Sequence, residues 1–136
     1  MATFSPKDLK PRHAILSGTP GDVSITILLR PFLRGHEIVD TAIRLDGIDL
    51  PSNLLRDLAG KSFDFPVNPD DGYIDGSVYL ESAHHPVDVT SLNFSAARDG
   101  SLTLIVKGVY VFDFEGLDDL ERVPFTLAAS VSSCAL

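Results

Sequence analysis

The residues with the clearest capacity for chemistry are His84-His85-Pro86-Val87-Asp88. Imidazoles and carboxylates exchange protons near neutral pH and bind transition metals. Neighbouring residues on an extended backbone point to opposite sides, so at most one of the two histidines can share a site with Asp88. His85 with Asp88 reads as a general base and its orienting carboxylate, or as two metal ligands awaiting His13 or His36. No nucleophile accompanies them: there is no Gly-x-Ser-x-Gly elbow, no Ser-x-x-Lys and no His-Glu-x-x-His. The one cysteine, Cys134, is the third residue from the C-terminus. Two histidines on a polar loop are ordinarily solvated turn residues. The expectation is therefore no catalytic residue, no metal and no cofactor, with a small β-barrel enzyme or metal protein using His84 or His85 and Asp88 as the alternative.

Two further stretches imitate known sites and fail on register. Ala59-Gly60-Lys61-Ser62 ends like a phosphate-binding loop, but that loop needs glycine where Leu55 stands and must open a helix rather than follow one. Asn68, Asp70, Asp71 and Asp75 around Gly72 resemble a calcium loop, yet the required glycine falls on Tyr73 and the bidentate glutamate on Tyr79. Asn, Pro, Asp and Gly together are turn formers, so 68–72 is expected to be a hairpin turn.

The charges point to a partner rather than a substrate. The chain carries a formal charge of −8. Residues 1–60 are balanced, seven basic against seven acidic, while residues 61–136 hold four basic against twelve acidic. Such a surface repels phosphate and attracts basic partners, which argues against nucleic acid. Tyr110-Val111-Phe112-Asp113-Phe114-Glu115 and Phe63-Asp64-Phe65 alternate acidic with apolar residues, as a negative stripe over an apolar core would. The candidate partner-binding residues are Asp64, Asp113, Glu115, Asp118 and Asp119, with His84, His85 and Asp88. The function expected is a non-catalytic module that binds a basic protein, for instance a bacterial inhibitor or immunity-type protein.

Strands must position these groups. Leu102, Leu104, Val106, Gly108, Tyr110 and Phe112 share one face of a long strand. Asp88–Ala96 precedes it, with Thr90, Leu92, Phe94 and Ala96 on one side, and Arg98-Asp99-Gly100-Ser101 turns between the two. Val123, Phe125, Leu127, Ala129 and Val131 follow, and Pro124, which lacks a backbone donor, places that strand at an edge. Further strands are expected over Val23–Leu29, Val39–Leu45, Ser62–Val67 and Tyr73–Ser82. Leu54, Leu55 and Leu58 have helical spacing, with Ser52 or Asn53 as cap and Gly60 closing about two turns.

The expected fold is all-β, an antiparallel sandwich or partly closed barrel with one short helix near 51–60. It forms a single domain, 1–136, with about the first 12 residues flexible. Met1–Pro11 has no apolar run of signal-peptide type, and no segment approaches the roughly 20 apolar residues that span a bilayer. A cytoplasmic protein with no membrane contact is the expectation. Phe112, central in the longest strand, is expected to cost about 3–5 kcal/mol on truncation. Ile105, Val109 and Val111 lie opposite the aromatic face and require a cover. Either the first-half strands close a barrel or a second copy docks; a homodimer is the expectation.

Overall fold

A strand order that returns on itself resolves the sandwich-or-barrel alternative in favour of a closed barrel. The computed structural model describes residues 6–34, 36–68, 70–80, 83–111 and 122–133. After a 3₁₀ turn at Pro6–Asp8 come β1 (Pro11–Thr19), β2 (Asp22–Leu29), β3 (Phe32–Arg34), β4 (Glu37–Val39) and β5 (Ala42–Ile48). Helix α1 (Leu55–Leu58), β6 (Ser62–Asp64), β7 (Asp75–Leu80), β8 (Ala83–Ala96), β9 (Leu102–Val111) and β10 (Arg122–Ser133) follow. Seven strands pair in the order β8-β7-β5-β2-β1-β10-β9, and β9 returns to β8. All these pairings are antiparallel except β1 with β10. The hairpin β3–β4 forms a separate two-stranded sheet.

Inward side chains fill the barrel, as a barrel of this strand number requires. Val23, Ile25, Ile27 and Leu29 of β2 are buried between half-buried Ser24, Thr26 and Leu28. Leu104 and Val106 of β9 and Leu92 and Phe94 of β8 join the same core. Buried Leu58 of α1 packs at the end that carries the β8–β9 turn. Buried Leu9 packs at the opposite end, where Arg30 N donates to Lys10 O at 2.8 Å.

β8 organises the wall. Its fourteen residues offer one edge to β9 and the other first to β7, at Ala83–Val87, and then to β6, at Ser91–Asn93. β6 and β7 therefore lie end to end and do not pair with each other. The hairpin expected at 68–72 is instead a loop that leaves this edge after Phe65, whose N donates to Thr90 O at 2.9 Å, and returns at Asp75. The register against β9 shifts between Val89 and Ser91. Thr90 is the extra residue of this bulge, exposed, with its hydroxyl donating to Lys107 O. His85, Val87 and Val89 face inward before it, and Leu92 and Phe94 after it. The expectation that Thr90 shares a face with Leu92 is corrected accordingly.

Three other expectations change. β1 went unrecognised because Ala14-Ile15-Leu16 is apolar on both faces. Leu9–Arg12, placed in a flexible segment, contain a buried plug and the start of β1. The helix is one turn, not two, because Ser52 Oγ accepts from Leu54 N and donates to Asp57, holding the approach out of helical register. Leu54 is exposed, Leu55 is half-buried and Leu58 is buried. Gly60 closes the helix as expected at φ 77°. Closure pairs both edges of β9 within the chain; Ile105 and Val109 face outward half-buried, and Val111 is buried. Phe112 and Cys134 lie outside the described residues.

Candidate functional site

The outer faces of β5, β7 and β8 carry a cluster of charged residues. Outward positions on β5 are Arg44 and Asp46, on β7 Asp75 and Ser77, and on β8 Pro86 and Asp88. Arg44 is in register with Ser77, and Asp46 with Asp75. The antiparallel Gly76–Val87 pair carries the second row on to Asp88. Three carboxylates thus lie in one lateral row across three adjacent strands, spaced by about 4.8 Å per strand. They line a groove of about 390 Å³, with Asn68 and Tyr73 of the 66–74 loop along its side. Ile74, 3% exposed, anchors the returning end of that loop in the core.

Directly opposed like charges destabilise a sheet pair. Ser24 Oγ donates to Asp46 Oδ1 at 2.9 Å, and the Arg44 guanidinium stands 4.0 Å from the same oxygen. That ion pair is well exposed, so it contributes little. Burial raises the Asp88 carboxyl above the usual carboxylate range, an effect that the Arg122 charge partly offsets. Within the groove itself, three acids face one arginine.

His85 and Asp88 do not form a site. His85 is 2% exposed inside the barrel, in register with Val78, whereas Asp88 lies outside the wall. His84 lies in β8 with its backbone paired to Tyr79 of β7, so the expected polar loop is strand. Among the described residues no three His, Cys, Asp or Glu side chains converge as a metal site would require. The phosphate-loop mimic is also spent on structure: Gly60 N donates to Phe94 O at 2.7 Å and Phe94 N to Lys61 O at 2.9 Å.

Of the acidic residues expected in the stripe, Asp64 lies among the described residues. Asp64 is exposed on β6 opposite Ser91, but Ser91 in turn pairs with Lys107, so the row from Asp64 meets a cation two strands away. Asp113, Glu115, Asp118 and Asp119 lie outside the described residues. Of the candidates among the described residues, Asp88 alone lines the groove. Asp46 and Asp75 were missed because only the β5–β7 register brings them together.

The fold and groove define a closed seven-stranded barrel with an acidic outer wall. Comparison with known proteins finds no match: no family model, no curated protein and no solved structure corresponds to the chain. No helix among the described residues is long and apolar enough to cross a membrane.

Proposed function

We propose that this protein is a non-catalytic binding module whose acidic wall engages a basic segment of a protein partner. The observation that carries this is the row Asp46–Asp75–Asp88. It sets like charges side by side at a cost to the sheet that a bound guanidinium or ammonium group would relieve. A groove beside the row gives such a side chain a place to lie. An inhibitor or immunity-type role toward a basic toxin domain, in the cytoplasm, is the form of this proposal that suits the net charge of −8. The alternative enzymatic reading has less support, because His85 and Asp88 occupy opposite sides of the wall.

The test is titration of an arginine-rich peptide followed by fluorescence anisotropy at about 0.1 and about 1 M salt, where the Debye length falls from about 10 to about 3 Å. Saturable binding that weakens at the higher salt and is lost in Asp75→Asn supports the proposal. Binding indifferent to salt, or unchanged in Asp75→Asn, refutes it.

A further inference from the structure

The barrel has a second concavity of opposite character. Among the described residues β1 meets β10 only at Ala14–Leu16, opposite Val131–Ser133. The His13 ring fastens the start of this seam, with its two nitrogens 2.8 and 2.7 Å from the hydroxyls of Ser130 and Ser132. Below that point β10 continues back to Arg122 without β1 beside it. Its inward residues Val123, Phe125 and Leu127 are consequently half-buried, whereas Ala129 and Val131, within or next to the seam, are buried. A slot of about 400 Å³ opens there between β10 and the Lys7–Pro11 segment, within the roughly 300–1,000 Å³ of ordinary ligand pockets. Its floor is Leu9 and Tyr110, with the Tyr110 ring stacked on Phe125 at a centroid distance of 4.2 Å.

On a protein of net charge −8, the described lining of this slot holds Lys7 and Lys10 and no acidic residue. Both lysines are exposed at the rim, above an apolar floor. We propose that the slot binds a free medium-chain carboxylic acid, its acyl chain against the half-buried Val123, Phe125 and Leu127 and its carboxylate at Lys10. The apolar lining supplies affinity in proportion to chain length, and Lys10 at the rim selects an anionic over a cationic head.

The test is NMR titration of the full chain with octanoate, nonanoate and decanoate, and with decylamine and decanol as head-group controls. Shifts centred on Tyr110 and Phe125, affinity rising about fourfold per added CH₂, and decylamine binding at least tenfold more weakly than decanoate are expected. Lys10→Glu, at an exposed position, should weaken decanoate about tenfold and leave decanol unchanged. Phe125→Ala should weaken both; Lys10→Glu keeps the test decisive if Phe125→Ala unfolds. Absence of saturable shifts, decylamine equal to decanoate, or an unaffected Lys10→Glu would overturn the proposal. Cosedimentation with phosphatidylglycerol vesicles without decanoate binding would assign the acyl chain to a lipid surface and overturn the free acid. This site is separate from the acidic wall, so Asp75→Asn should leave decanoate binding unchanged.

Discussion

Replacing Asp75 by Asn should make the protein more stable, an outcome opposite to that of most substitutions. Asp75 has Asp46 directly opposite on β5 and Asp88 next along the row on β8. A like-charge cross-strand neighbour costs roughly 0.2–1 kcal/mol, and Asp75 has two. Arg44 near Asp46 and the exposure of Asp75 reduce this, so a net gain of about 0.5–1 kcal/mol is expected. In a chain of this size that corresponds to about 2–4 °C in melting temperature. Urea denaturation and thermal melts at pH 7 measure it directly, with Asp64→Asn as the control. Asp64 faces Ser91 rather than a carboxylate, so its substitution should stay within about 0.5 kcal/mol of the parent. The gain in Asp75→Asn should shrink toward zero at about 1 M salt, where screening removes the repulsion in the parent. A variant no more stable than the parent at low salt, or one whose gain survives high salt, would refute like-charge strain as the cause. The combination of higher stability with weaker peptide binding is the signature of a surface kept acidic for a partner.

Asp88 should report through pH. Its raised pKa means the folded state favours the protonated carboxyl, so this contribution to stability is complete below the ordinary carboxylate range and is lost as pH rises through the raised value. The stability of Asp88→Asn relative to the parent should therefore increase as pH rises from the ordinary carboxylate range through the raised value and level off above, and a pH-independent difference would contradict the burial argument. Gly108→Ala should cost about 1–3 kcal/mol, because a β-carbon there would overlap the backbone carbonyl oxygen of Asp88, which cannot swing aside as a side chain would. A chemical melt within 0.5 kcal/mol of the parent would show that β8 yields at that point. Phe94→Ala should lose about 3–5 kcal/mol, since Phe94 is fully buried and its ring meets Phe63 edge-on at 6.2 Å. A loss under about 1 kcal/mol would mean that the cavity collapses around the missing ring.

Local chemistry made some of this molecule legible from residue order alone. The alternation over Leu102–Tyr110 and Val123–Val131 defines two strands, since a period of two has no other regular meaning. In the β8–β9 turn Gly100 N donates to Ala97 O and Ala97 N to Ser101 O, and the Asp99 carboxylate, its pKa lowered by hydrogen bonds from Ser101, locks that turn as the residue types imply. Pro124 lies where β10 has no β1 beside it, as its missing donor demands. The faces of β8 were not legible, because the single extra residue at Thr90 exchanges inside for outside along everything before it. Continuous alternation from Leu92 would put Asp88 in the core; the bulge puts it on the wall and sends His85 inward. The acidic row likewise exists only through register, since Asp46, Asp75 and Asp88 belong to three strands whose pairing depends on how the whole barrel closes. The slot depends on where one parallel pairing stops, a property of two strands more than a hundred residues apart that neither contains in its own sequence.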